Sequence, residues 1–500
     1  MKEQASQTNK IAADTPTSSR RPMKVLFCAS ECVPFVKTGG LADVAGSLPR
    51  ALVQAGEDVR VILPKYRLIP YSYICSMEHV TDFTLLMGSQ SVYCGIDTIV
   101  ERGVRYYFVD NLALYSGDSI YTGHESEGYR FAFFCRAILE ALPRIGFFPD
   151  IIHCNDWQTG LLPALLRCQY AGAPRYDAVR TVFTIHNLRY QGLFDWGYLN
   201  GFLGLSDWCY DPERLEFYGC ASCMKGGLVF GDRITTVSPT YAQEIQTPYY
   251  GERLDGLLRH RQNVLTGILN GIDTEVYDPE RDPYLRVSFS RENRRGKAVQ
   301  TAALQQECGL EVKENTPLMS MITRLCPQKG LDLVERVLPD IMRQDIQILF
   351  LSKGDAYYED FVRQAAQAYP GRIAARIELN EPLAHRVYAG SDMFLMPSQF
   401  APCGLSQMIA MRYGAVPIVR RTGGLADTVR SCQVGQADGT GYLFERYDAG
   451  AMLDVIGQAT GLYRGDRSGF NAVRYRGMTA DFTWDKSAGA YRQIYANLLG

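Results

Sequence analysis

Short apolar runs recur along the chain, with stretches of helical spacing between them. The first series covers residues 24–29, 59–63, 151–154, 181–185 and 233–237. After Asn270 the rhythm restarts at residues 318–322, 348–351, 393–396 and 416–419. Apolar runs alternating with helices predict parallel strands, and the interruption predicts two sheets rather than one. The expected fold class is therefore α/β, with two doubly wound, Rossmann-like domains. We expect the first domain over 23–262 and the second over 263–483, with the hinge near 259–270. A last helical stretch, 484–500, is expected to pack back on the first domain.

Two places on this framework share six letters. "KTGGLADV" begins at Lys37 and "RTGGLADTV" at Arg421. A chance repeat of that length in such a chain is improbable, on the order of one in a hundred at ordinary residue frequencies. Both strings fall where a strand leads into a helix, beyond the carboxyl end of the strand, where ligands of doubly wound sheets sit. Paired glycines let backbone N–H groups approach an anion, and the helix dipole favours negative charge there. Two facing domains would bring both turns to one anionic ligand.

Composition narrows the chemistry. A formal net charge of −2 and the lack of a long basic run leave no footprint for nucleic acid. Residues 1–22 are polar, lack the apolar core of a signal peptide and are expected to form a disordered tail. No apolar stretch approaches the ~20 residues that span a bilayer, so the chain is expected in the cytoplasm without a membrane partner. Fourteen scattered cysteines then read as reduced, mostly buried thiols. Cys220 and Cys223 form a single CxxC without a second pair at zinc spacing. There is no GxGxxG, no P-loop and no Asp-x-Asp. A dinucleotide dehydrogenase has little support, and neither a cofactor nor a metal is called for. An anionic ligand must then be neutralised by Lys37 and by Arg324 and Lys329 of "TRLCPQKG", which a loop must fold together.

Seven segments in series, "KTGGLADV", "TIHNLRYQG", "DRITTVSPTYAQEI", "GILNGIDTEVYDP", "RLCPQKGLDL", "PCGLSQMIAMRYG" and "RRTGGLADTV", closely resemble the bacterial glycogen/starch synthases. The resemblance runs from about residue 23 to the C-terminus. It implies a GT-B architecture, two domains facing a central cleft, and transfer of glucose from ADP-glucose to an α-1,4-glucan with retention. It implies that Lys37 and the Gly40 amide lie beside the donor diphosphate. His186 and Asn270 would touch the transferred glucose, with Asp156 beside them, and Arg324 and Lys329 would bind the diphosphate. Gly404, Leu405 and Ser406 would offer amides and a hydroxyl to sugar and phosphate. The turn at Gly423 and Gly424 would face the distal phosphate or the ribose.

The chain also departs from the family. Ala401 stands where a glutamate is usual, and Leu379 where an aromatic ring is expected against adenine. Ser352 and Lys353 replace a glycine-rich turn, and Gln158 replaces a histidine. Two readings follow: a transferase weakened by these changes, or a relative that binds glucan or sugar nucleotide without turnover.

Overall fold

The computed structural model describes residues 21–433 and 436–500. Of the expected tail, only Arg21 and Pro22 fall among them, and Arg21 pairs with Asp150 at 2.6 Å. The chain first lays down β1 (Lys24–Cys28), β2 (Asp58–Pro64), β3 (Glu78–Met87), β4 (Gln90–Glu101), β5 (Val104–Asp110), β6 (Ile151–Asn155) and β7 (Arg180–Ile185). A small antiparallel sheet follows, made of β8 (Leu193–Phe194), β9 (Glu216–Phe217) and β10 (Cys220–Ser222), before β11 (Arg233–Thr236) and β12 (Leu265–Gly267). The second half contributes β13 (Leu318–Leu325), β14 (Gln347–Gly354), β15 (Ile373–Arg376), β16 (Met393–Met396), β17 (Val416–Arg420) and β18 (Tyr442–Phe444).

The first large sheet runs β12-β11-β7-β6-β1-β2-β5-β4-β3, and the second β15-β14-β13-β16-β17-β18. Strands covered by helices on both faces must be apolar throughout. β1 and β6, paired parallel with Val25 opposite Ile151, are buried almost end to end. β3 is an antiparallel edge strand that alternates polar and half-buried positions. Its polarity explains why no apolar run marks it.

In each sheet the winding reverses once, between β1 and β6 and between β13 and β16. Loops leaving adjacent strands diverge at such a point and leave a crevice beyond the carboxyl ends. The loops leaving β1, β6, β13 and β16 border these two crevices.

β12 pairs with β11 in the first sheet, three residues past the expected boundary at 262/263. We propose that the division lies after Gly267. The last helix, Asp485–Leu499, buries Ala488, Tyr491 and Tyr495 in the core of the first sheet. Tyr495 Oη bonds His153 Nδ1 at 2.7 Å, and His153 Nε2 bonds Thr184 Oγ1 at 2.6 Å. Thr184 Oγ1 meets Thr235 Oγ1 at 2.6 Å, so one buried chain of polar contacts ties this helix to β6, β7 and β11. Burial holds the His153 pKa down at about 3, so the ring is neutral.

Tyr495→Phe breaks this chain and strands one imidazole nitrogen. A buried unsatisfied group of this kind costs about 1–3 kcal/mol. We expect Tm to fall by a few degrees in differential scanning calorimetry; an unchanged Tm would show that the helix is held by apolar packing alone.

Candidate active site

The loop after β1 carries the first Thr-Gly-Gly turn. The Glu31 carboxylate, buried beneath it, accepts from Thr38 N at 2.5 Å and Gly39 N at 3.1 Å. Burial raises the Glu31 pKa, and these two amides act against that rise. Gly40 opens the helix Gly40–Gln54, so its own N–H has no intrahelical acceptor. Lys37 Nζ pairs with Asp43 Oδ1 at 2.9 Å. Burial pulls the Lys37 pKa down, but Asp43 and, across the cleft, Glu381 outweigh it and the ammonium is held.

Asp156 follows β6 at the same crevice. Its backbone sits at φ 56°, ψ −178°, a region that side chains other than glycine rarely adopt. Such strain costs on the order of 1–3 kcal/mol and clusters at working sites. The carboxylate Oδ1 accepts from His186 N at 2.7 Å and Asn187 N at 3.3 Å. Burial nonetheless pushes its pKa up to about 7. His186 lies beside it, after β7. Asn155 Nδ2 donates to the carbonyls of Cys28 at 3.0 Å and His153 at 3.3 Å. Asn155 Oδ1 must therefore face His186 Nε2, 2.9 Å away, and accept a hydrogen bond from its N–H. Burial lowers the His186 pKa to about 3, which leaves a neutral ring with Nδ1 free to accept.

In the second sheet, β13 ends at Leu325 and a short turn, Pro327–Lys329, folds Lys329 back toward Arg324. Burial lowers the Lys329 pKa, and the Arg324 guanidinium lowers it further, against the opposing effect of Cys326. Neither cation meets a carboxylate among the described residues. Gly330 lets this turn press on the loop after β16: its φ is 75°, and a Cβ there would lie 2.1 Å from the Pro397 carbonyl. Gln328 fastens the two loops, its carbonyl accepting from Gln399 N at 2.8 Å and its side-chain amide donating to Phe400 O at 3.1 Å. That second loop carries Gly404, Leu405 and Ser406, whose backbone N–H groups find no acceptor among the described residues. Leu405 Cδ1 would stand 3.7 Å from a Cβ on Gly40, so the two crevices face one another there. Asn270 is buried beside Cys403, and its side-chain oxygen has no partner.

The second Thr-Gly-Gly turn does not match expectation. Glu244, from the helix Pro239–Glu244, accepts from Thr422 Oγ1 at 2.8 Å and from Gly423 N at 3.0 Å. Gly424 N donates to the carbonyl of Ala401 at 3.1 Å. A Cβ on Gly423, at φ 45°, would lie 1.9 Å from that carbonyl. Gly423 and Gly424 therefore spend their amides on protein acceptors and offer none to a phosphate or ribose. Their glycines answer a close approach of two loops, and the turn docks the first-domain helix. Thr240 N and Oγ1 extend that contact to Asp427 at 2.9 and 2.6 Å, and Ser238 Oγ reaches Pro402 O at 2.7 Å. Sequence reasoning missed Glu31 and Glu244, although each lies in or near a motif; nothing in the spacing says which turn a carboxylate will hold.

The departures are also placed. Ala401 is buried beside Met411, Val419 and Leu425. Leu379 is 86% exposed. Gln158 is buried with its Oε1 unpaired. Cys220 and Cys223 are free thiols.

Comparison with known proteins bears on the family and the fold. Residues 24–260 match the family described as "Starch synthase catalytic domain", and residues 306–460 that described as "Glycosyl transferases group 1". A glycogen synthase of Geobacillus thermodenitrificans is 51% identical over 477 residues, 95% of this chain and 98% of its own. One from Bacillus cereus is 47% identical over 479 residues, 95% of this chain and the whole of the other. The catalytic domain of starch synthase IV from Arabidopsis thaliana, solved with ADP and acarbose, superposes with a TM-score of 0.90 at 32% identity, over 96% of this chain and 100% of that one. A sucrose-phosphate synthase from Thermosynechococcus elongatus shares the fold, with a TM-score of 0.60 at 18% identity over 96% of this chain and 99% of that one.

The raised Asp156 pKa has a consequence for stability. An acid whose native pKa lies above its unfolded value contributes stability at low pH and loses it as pH rises through the native value, here about 7. Asp156→Asn keeps an acceptor for the His186 and Asn187 amides, tolerates positive φ and removes the titration. We expect the Tm advantage of the variant to widen between pH 5 and pH 8. A difference that stays constant with pH would contradict the assignment.

Proposed function

The chain belongs to the glycogen and starch synthase family, and from that premise we propose that it transfers glucose from ADP-glucose to the non-reducing end of an α-1,4-glucan with retention. The observation that carries this reading is the pair Arg324 and Lys329, two cations without a protein counter-charge at the β13/β16 crevice. Kinship over nearly the whole chain favours a transferase over a non-catalytic relative. No helix among the described residues is long and apolar enough to cross a membrane. We place the enzyme in the cytoplasm, a reading supported by its fourteen free cysteines.

Breaking the anomeric C–O bond builds positive charge on the sugar and negative charge on the departing diphosphate. Arg324 and Lys329 answer the second charge in a cleft where such interactions act more strongly than in water. Lys37 and the Gly40 amide approach the diphosphate from the first domain. The free amides of Gly404, Leu405 and Ser406, with the Ser406 hydroxyl, meet sugar and phosphate from the second. Asn270 brings an unpaired acceptor oxygen to a glucose hydroxyl. His186, neutral and oriented by Asn155, accepts a hydroxyl through Nδ1 or its carbonyl and moves no proton. Asp156 holds that segment in place. The acceptor hydroxyl attacks from the side the diphosphate leaves, and its proton passes to a donor phosphate oxygen. The products are the glucan longer by one residue and ADP.

Arg324→Ala and Lys329→Ala each remove one charge-assisted contact, of about 1.5–3 kcal/mol. We expect each to weaken ADP binding at least tenfold in calorimetric titration and to slow turnover by about 10²–10³. Unchanged ADP affinity in both variants would remove the assignment. Ala401→Glu tests the missing carboxylate separately. We expect turnover to rise by about one to two decades while ADP affinity hardly moves, because ADP carries no glucose. Turnover equal to the parent's would show that this position no longer limits the reaction.

A further inference from the structure

Lys353 has no role in the reading above, and its position gives it one. β13 and β14 run parallel in continuous register, with Arg324 opposite Lys353. Residues directly opposite one another in a sheet project from the same face. The ammonium of Lys353 thus stands on the same face as the Arg324 guanidinium, at the carboxyl ends of both strands, where the chain turns to Lys329. Arg324 and Lys353 are both exposed, and neither pairs with a carboxylate among the described residues.

Of the carboxylates on the surrounding elements, Asp332, Glu335 and Glu359 have other partners, and Asp355 has none among the described residues. Asp332 accepts from Tyr447 Oη at 2.5 Å, and Glu335 from Tyr357 Oη at 2.9 Å. Glu359 accepts from Gly354 N at 3.1 Å and from Arg363 at 3.0 Å. Asp355, two residues beyond Lys353, makes no ion pair with any of the three cations. Lys353 adds a positive charge beside Arg324 at the ends of two adjacent strands, and an anion from outside the chain would answer it. A surface lysine that only solvates its strand has no reason to stand opposite an arginine that is itself unanswered.

We propose that Lys353 is a third cation of the donor-diphosphate site, a binding contact present where a glycine-rich turn is expected. The proposal rests on the reading that Arg324 and Lys329 hold the diphosphate. A contact with the diphosphate exists before and after the glycosyl bond breaks, so it strengthens substrate and product binding alike. Its signature is a lower KM for ADP-glucose and stronger inhibition by ADP, with a smaller share in kcat.

The test compares the full-length parent with Lys353→Gln, Lys353→Arg and Arg324→Ala, using ADP in calorimetric titration over a range of salt and ADP-glucose with glycogen in steady state. Lys353 is exposed and unpaired, so the substitutions should leave the melting curve in place. We expect Lys353→Gln to weaken ADP binding about tenfold, to flatten its salt dependence and to raise KM more than it lowers kcat. Lys353→Arg should restore the parent affinity. If Lys353→Gln binds ADP as the parent does while Arg324→Ala loses affinity, the third cation is overturned and the site reading stands. If neither variant changes ADP affinity, the diphosphate assignment falls and the proposal with it.

Discussion

Positive charge without a protein counter-charge is the constraint around which the second domain's crevice is arranged. Arg324 and Lys329 lie beside the point where the strand order reverses, and burial with mutual repulsion already lowers the Lys329 pKa. The surrounding loops hold this unfavourable arrangement in place. Gly330 admits the turn against Pro397, and Gln328 ties it to the loop leading to Gly404. In the function proposed, a diphosphate supplies what the protein omits. In the interior Arg474 pairs with Asp392 at 2.6 Å, while buried Lys297 has the carbonyls of Ala389 and Tyr413 as its acceptors at 2.9 and 2.8 Å.

The repeated Thr-Gly-Gly-Leu-Ala-Asp string has a different meaning from the one its spelling suggests. Each copy is a strand-to-helix turn whose amides attract a carboxylate, as helix N-termini do. Glu31 takes that place in the first copy and leaves the Gly40 amide toward the cleft. Glu244 takes it in the second and thereby fastens one domain to the other. The same local chemistry serves a cleft-facing turn in one domain and a docking contact in the other. Arg420 adds to that contact, donating to Tyr250 Oη at 3.1 Å.

Where burial is uniform the sequence guided most of the reading, although β5 and β18, buried nearly throughout, were not read. β1, β6, β7, β13, β14, β16 and β17 are continuous apolar runs because helices cover both faces, and each was legible. β3 was not, because its edge position lets polar residues alternate. The short strands β8, β9 and β10 are two or three residues long, below any periodicity. Among the proposed site residues, the cations, His186 and Asn270 were named from their motifs. The tautomer of His186, the strain at Asp156 and the carboxylates beneath the glycine turns were not. They depend on which loops meet, and that is set by sheet order rather than by neighbours in the chain.

Transfer of glucose at these two facing crevices, with the diphosphate charge answered by the protein's own cations, is the function proposed. It is tested most directly by following ADP release from the full-length protein with ADP-glucose, in the presence and absence of glycogen. ADP release should require both compounds, with one glucose added to glycogen for each ADP formed. ADP release that is indifferent to glycogen, or none at all while ADP still binds, would contradict it.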